Sequence, residues 1–437
     1  MKTLFKFIVI SSCIVSFLCC SENQHQNKNT LKVNVEVMHP RVIWTEKPSE
    51  HAIVSWTSSV FGTDNYVVFG TNKQLNKNTL QSKSLKEGKI TMRSMDYEEG
   101  VPEAYYHHAE LKNLNSSTTY YFKFCTDNTC SDIYYFITAP EKDQSYSIIS
   151  GGDSRLGGKK PRFAGRTPLI ERQKMNKMIA KMTEEDPSIL AFAHGGDYCT
   201  TADWRHLYYW FEDHELTITK DKRILPLILT RGNHEHEIGF LENFWLGEIS
   251  NEHSDGYFFM TQITPTSALL TLNTETSMAG DQLEFLEETL EEHRAKNNWM
   301  FVQYHKPAYP AVKDFNREDF YHVRKYWVPL FEKHKISMAL ESDGHSLKKT
   351  APILDGKIDP KGIIYIGEGG LGVPQREPFP ERWFFDEESI VEAKHHLWKI
   401  SVDDTIANVT AFGIEQDTLH SFSVTSKVFE TKSEVHE

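Results

Sequence analysis

The stretch Arg231-Gly-Asn-His-Glu-His-Glu237 follows the apolar run Arg223-Ile-Leu-Pro-Leu-Ile-Leu-Thr230. A strand that stops at Gly-Asn-His delivers polar side chains to the carboxyl edge of a sheet, where open α/β sheets bind their ligands. The amide oxygen of Asn233 is a hard, neutral metal ligand, and the adjacent His234 can act as an acid while neighbouring groups hold an ion. Alone, Gly-Asn-His is equally an Asn turn in a polar loop. Four other apolar runs end the same way: 146–150 into Gly-Gly-Asp153-Ser-Arg155, 189–194 into Gly-Gly-Asp197, 298–304 into His305, and 336–340 into Glu-Ser-Asp343-Gly-His345. Asp, Asn and His together suit divalent or trivalent ions of intermediate hardness, namely manganese, iron or zinc. A carboxylate shared by two ions ~3.5–4 Å apart serves a pair that activates water and clamps phosphoryl oxygens. A single structural ion needs fewer ligands and no uncommitted His or Arg beside it.

The elements that position these residues alternate strand and helix from residue 145 onward. Helices are expected over 168–182, 281–294 and 318–334. Residues 31–140 read differently, as short alternating strands at 52–57, 65–69, 106–111, 119–124 and 133–137 separated by turns, the pattern of a β-sandwich. Ala139-Pro140 and the polar residues after it mark the boundary. Cys125 and Cys130 flank Thr-Asp-Asn-Thr and are placed either to close a hairpin disulfide or to remain thiols. His107 and His108, adjacent on a strand, point to opposite faces and read as structural. Tyr208, Trp210, Trp383, Phe384 and Phe385 read as core, and Cys199 as a buried structural thiol.

Taken in order, Gly-Asp153, Gly-Gly-Asp197, Gly-Asn233-His234-Glu, Val-Gln-Tyr-His305 and Gly-His345 resemble the motifs of the calcineurin-like metallophosphoesterases. With the β-sandwich in front, the chain resembles a purple acid phosphatase, and the phrase 111–122 resembles a fibronectin-type corner in which a Tyr ties a loop back. The resemblance implies an N-terminal all-β fibronectin-III-like sandwich at 31–140. It implies an α/β metallophosphoesterase domain at 145–425, a two-sheet β sandwich flanked by helices. It implies two metal ions held by Asp153, Asp197, Asn233, His305, Asp343 and His345, with His234 contacting the phosphate or protonating the leaving group. Arg155 would bind a phosphate oxygen through its guanidinium fork. His236 and Glu237 would support the ligands, and Lys306 would line the pocket.

Two positions depart from the family pattern. Thr200 stands where the family carries the Tyr whose charge transfer with ferric iron gives the purple colour, so a different metal pair is expected. Read directly onto the family's Gly-His-x-His, Gly344-His-Ser-Leu347 would keep His345 as its sole ligand and lose the second His to Leu. Alignment of Thr350-Ala-Pro352 with the family's Thr-x-Pro, the preferred register, instead puts Asp343 and His345 at the two positions usually held by His. Exchanging His for Asp hardens the site toward manganese, iron or magnesium.

The function expected is hydrolysis of small-molecule or glycan phosphate esters by attack of a metal-bound hydroxide. A phosphodiesterase on the same site and a non-catalytic surface binding protein with a degenerate metal site are the alternatives. The formal charge of −13 argues against a protein that coats nucleic acid. Residues 1–20, with Lys2 and Lys6 before an apolar run, read as an export signal; Cys19 and Cys20 resemble a lipoprotein acylation site, and 21–30 would then be a tether. The expected location is periplasmic, cell-surface or secreted.

Overall fold

The computed structural model describes residues 34–75, 79–83, 86–90, 101–155, 166–200, 204–235, 238–247 and 257–426. The chain divides into residues 1–34 and one compact unit, Val35–Glu437, and all that follows concerns the second. The export signal and tether, together with His236 and Glu237, lie outside the described residues.

Ile189–His194 is buried at every position, which suits a strand covered on both faces. It runs parallel between Tyr146–Gly151 and Leu227–Leu229 in a ten-stranded sheet. A seven-stranded sheet carries a second parallel set, Ser267–Thr271, Trp299–Gln303, Met338–Leu340 and Tyr365–Gly367. Ile148, Phe192 and Ile228 of the first sheet share one core with Leu269, Phe301 and Met338 of the second. Outside these sheets lie the helices Arg166–Glu185, whose Met175, Met178 and Ile179 join that core, and Asp281–His293, whose Leu286 and Leu290 pack with Met300 and Val302. The helix expected over 318–334 is present as Glu318–His322 and Val328–Lys333, joined through one wide turn at Val323–Trp327. The result is a two-sheet sandwich with helices outside it, preceded by a β-rich region.

In the β-rich region Thr119–Thr126 pairs with both Asn65–Gly70 and Tyr134–Ile137. The Tyr120 hydroxyl accepts a 2.8 Å hydrogen bond from the Asn115 amide, which ties the preceding loop to the strand. Cys125 and Cys130 are joined in a disulfide across a hairpin. His107 and His108 are buried; His107 Nε2 meets Ser58 Oγ at 2.7 Å and His108 Nδ1 meets Ser55 Oγ at 2.7 Å.

Two strands where the regions meet differ from the sequence reading, beyond others it did not anticipate, such as Ser267–Thr271 and Ile406–Gly413. Val37–Ile43 was not expected, because His39, Pro40 and Arg41 break its alternation; a bulge between Met38 and Arg41 and a left-handed His39 (φ 57°) absorb the break. It pairs in parallel with Leu227–Leu229, and the Trp44 amide donates to the Leu227 carbonyl at 2.9 Å, so one sheet runs through both regions. The strand read as 223–230 is confined to Leu227–Leu229, since Pro226 has no amide to add to the ladder.

Candidate metal centre

The parallel strands of both sheets end at one place, and the loops leaving them turn back sharply. Asp153 (φ 57°), Asp197 (φ 58°), Asp343 (φ 70°) and His345 (φ 65°) all adopt left-handed backbone, which costs a non-glycine residue ~1–3 kcal/mol. Strain of that size persists where surrounding contacts over-determine it. Here Glu235 does so: its carboxylate accepts the amides of Asp197 and Gly232, both at 2.8 Å, and of Tyr198 at 3.0 Å. One buried side chain thereby binds the Asp197 loop to the Asn233 loop. Gly196 (φ 93°) lets the loops interlock, because a Cβ there would fall 2.7 Å from the Gly232 nitrogen and 2.8 Å from His305 Nδ1.

Around this frame the side chains converge. His305 Nε2 lies 3.2 Å from Asn233 Oδ1, 3.3 Å from Asp197 Oδ1 and 3.7 Å from Asp343 Oδ1. His345 Nε2 lies 3.1 Å from Asp153 Oδ1, and Asp153 Oδ2 accepts the Asp343 amide at 2.9 Å. Asp153, Asp197, His305, Asp343 and His345 are all at most 3% exposed. Burial opposes the ionisation of Asp153, but the hydrogen bond and charge of His345, the charge of His305 and the Asp343 amide together hold its carboxyl well below the usual carboxylate range. Asp197 is pushed up, by burial and by Asp153, against the pull of His305, His234 and Arg155. Burial would lower His305, yet the charges of Asp197, Asp153 and Asp343 raise its imidazole to about 9. Glu235 is pushed up to about 8 by burial and by Asp197, in spite of the amides it accepts.

The donor set fits metal ions. Ligand atoms of Asp153, Asp197 and His305 all lie within 4.8 Å of one another. Asp153 Oδ1 and Asp343 Oδ2 are buried without a hydrogen-bond partner of good geometry. Both imidazoles turn Nδ1 to a backbone carbonyl, His305 to Gly195 at 2.8 Å and His345 to Pro374 at 3.3 Å, which leaves each Nε2 facing the cluster. Metal-ligating histidines are oriented by this kind of partner.

Comparison with known families places the chain as a whole. Residues 37–138 match the family model described as purple acid phosphatase, N-terminal domain, and residues 170–347 match calcineurin-like phosphoesterase. The chain is a purple acid phosphatase-like member of the calcineurin-like metallophosphoesterases. It is 25% identical over 199 residues to purple acid phosphatase 18 of Arabidopsis thaliana, a match covering 40% of this chain and 45% of that relative. To the purple acid phosphatase of Glycine max it is 22% identical over 385 residues, covering 78% and 77%. The solved purple acid phosphatase PPD1 from yellow lupin (Lupinus luteus) seeds shares the fold with a TM-score of 0.70 at 17% identity, over 89% of this chain and 74% of that one. PhoD does so with a TM-score of 0.61 at 10% identity, over 89% and 91%.

Of the other residues singled out from the sequence, Arg155 Nε stands 3.4 Å from Asp197 Oδ2 but without hydrogen-bond geometry. His234 Nδ1 meets the Thr200 carbonyl at 2.5 Å, and its Nε2 lies 3.7 Å from Asp197 Oδ2. Tyr198 turns away from the centre; its ring stacks on His194 with centroids 4.0 Å apart and its hydroxyl donates to the Thr230 carbonyl. Lys306 pairs with Glu275 at 2.9 Å and faces a separate cleft of about 670 Å³ shared with Arg317 and Asp319. Trp210 and Phe384 are core, and Trp210 Nε1 supports Ser154 Oγ at 2.9 Å; Trp383 is 43% exposed instead, because it caps the buried Tyr309 and Phe384 from outside. Cys199 is buried.

Sequence reasoning missed three features. Lys313 forms an ion pair with Asp343 Oδ1, and Arg376 Nη1 reaches the Asp343 carbonyl at 3.4 Å. Behind the centre, Lys348 Nζ contacts Glu341 and meets Glu368 Oε1 at 3.1 Å, with all three side chains fully buried. Glu341 also takes the Tyr304 hydroxyl and the Ala308 amide, each at 2.6 Å, and Glu368 takes the Ala311 amide at 3.0 Å. Gly344 passes so close to Glu368 that any side chain there would clash.

Proposed function

We propose that the chain hydrolyses phosphate esters, monoesters in preference, at a centre of two ions (manganese, iron or zinc) held by Asp153, Asp197, Asn233, His305, Asp343 and His345. The observation that carries this reading is the convergence of Asp153, Asp197 and His305, buried and mutually within 4.8 Å, at the shared carboxyl end of two parallel strand sets. Ions bound there would supply the Lewis acidity that activates a water and draws charge from the phosphoryl group.

The remaining work falls to side chains. Asp197, held by the His234 amide at 3.2 Å, sits between His305 and Arg155 and so is the carboxylate best placed to serve both ion positions. Arg155, 17% exposed at the rim, offers its fork to a phosphoryl oxygen. His234 keeps Nδ1 on the Thr200 carbonyl and presents Nε2 toward the cluster, where a proton on Nε2 passes to the leaving-group oxygen. Burial pulls His234 below its ordinary value against the charge of Asp197, so the proton-bearing form belongs to acidic pH. With the signal read at 1–20, the substrate would be a small-molecule or glycan phosphate ester met after export, by a secreted or lipid-anchored protein.

Metal analysis of the purified protein, paired with turnover of an aryl phosphate monoester and the matching diester, tests the reading. Two ions per chain and faster monoester turnover are expected. Faster diester turnover would make it a phosphodiesterase, and bound metal without either activity would make it a binding protein.

A further inference from the structure

Lys313 lies on the segment following His305, and its Nζ is in contact with Asp343 Oδ1. The same oxygen is 3.7 Å from His305 Nε2, and the other oxygen of Asp343 is buried without a partner. The segment is anchored on either side of the lysine side chain: Arg382 Nη2 donates to the Lys313 carbonyl at 2.7 Å, and the Phe379 amide donates to the Ala311 carbonyl at 2.9 Å. The side chain itself is 21% exposed, so it has a path to solvent. Asp343 is thus a carboxylate at the metal centre already supplied with a cation by the chain. Among the described residues, Asp153, Asp197 and His305 have no lysine or arginine in comparable contact; Arg155 Nε stands 3.4 Å from Asp197 Oδ2 without hydrogen-bond geometry.

We propose that Lys313 competes with metal for Asp343, so that the centre takes its first ion among Asp153, Asp197 and His305 and its second only as Lys313 gives up Asp343. The inference rests on the metal-centre reading above. Its physical basis is that an ammonium and a metal cation sharing one buried carboxylate repel each other strongly where the effective dielectric is low. The second ion therefore binds more weakly by the repulsion and by the lost ion pair together, on the order of 10–1,000-fold. Metal content then becomes a function of metal supply, with Lys313 setting the threshold.

Calorimetric titration of the metal-free full-length protein with Mn²⁺ alone tests this, using the parent, Lys313→Met, Lys313→Gln and the charge-conserving Lys313→Arg. The parent should show one tight and one weak class of sites. Both neutral variants should tighten the weak class about tenfold or more and leave the tight class unchanged, while Lys313→Arg stays like the parent. Thermal melts of each variant verify folding, and the two neutral variants stand in for one another if one fails to fold. Equal affinity at two sites in the parent, or parent-like isotherms for the neutral variants, overturns the inference and leaves the metal centre standing. No Mn²⁺ binding by any variant overturns both.

Discussion

His107 in the β-rich region and His305 at the strand ends are equally buried, with no exposed surface on either side chain, yet their environments drive them in opposite directions. His107 stacks on Trp56 with centroids 5.0 Å apart, bonds Ser58 Oγ, and has the partly exposed Glu87 3.6 Å away. Burial, then the charge of Arg41, lowers it to about 3. His305 faces three aspartates whose charge overcomes the same burial and lifts it to about 9. Burial, aided by the charge of Arg41, thus drives one imidazole toward neutrality, and a buried imidazole lifted above its ordinary value reports a local surplus of carboxylate. The triad of Glu341, Lys348 and Glu368 is a third case, with two acids around one ammonium and donors at both carboxylates. The strand-end centre differs from both in leaving Asp343 Oδ2 buried without a hydrogen-bond partner, and Asp153 Oδ1 facing only His345 Nε2, at 3.1 Å. Charge that is balanced within the chain serves the fold; charge left over is where an ion belongs.

The largest expected effect tests that surplus directly. Asp197→Ala removes the strongest favourable influence on His305 and the carboxylate proposed to serve both ion positions, so both ions should be lost and phosphate-ester turnover should fall to background. His234→Ala removes no ligand and should keep the metals, while lowering turnover on the order of 10²–10⁴-fold, the usual range for a lost general acid. Metal analysis with steady-state kinetics reads both. Loss of metal in the His234 variant would put that imidazole among the ligands.

Next comes the balanced triad. Lys348→Met strips the ammonium from between two fully buried acids, and breaking such a cluster by removing one partner costs roughly 3–5 kcal/mol. Urea unfolding of the metal-free protein should show a loss of that order. If the variant instead loses metal with no change in stability, the triad belongs to the centre's chemistry rather than to its support.

Much of the centre was legible because parallel strands covered on both faces read as unbroken apolar runs, so the Asp, Asn or His that ends each run stands out. The β-rich region was legible for a related reason, its strands alternating between turns. Val37–Ile43 was not, because a buried arginine and a proline imitate a loop, although Arg41 is fully enclosed with its guanidinium carbon 4.1 Å from the Phe211 ring centroid. Leu227–Leu229 was read too long because Pro226 is apolar but cannot donate. Lys313 lies 30 residues from Asp343, and Glu341, Lys348 and Glu368 look like solvated surface in the sequence. A charge pair made only by folding leaves no local pattern to read.

The smallest expected effect concerns the neutral side of the comparison. The folded value of His107, about 3, lies below the unfolded value of ~6.5, so between these the unfolded chain holds a proton that the folded chain does not. Its contribution to stability is complete above pH ~6.5 and is lost as pH falls through that window. From pH 6.5 to 5.5 one such histidine costs about 1 kcal/mol. His305 has the opposite sign: raised above its unfolded value, it contributes below pH ~6.5 and loses that contribution as pH rises through about 9. His107→Gln retains a side chain able to bond Ser58 but cannot titrate. Urea unfolding of the metal-free protein at pH 7.5, 6.5 and 5.5 should therefore show the variant losing about 1 kcal/mol less than the parent over the last unit. His108 and His214, also lowered by burial first, keep part of the slope in the variant. A variant whose stability falls as steeply as the parent's would mean that His107 is protonated in the folded protein, and the contrast with His305 would then lie in partner geometry rather than in charge.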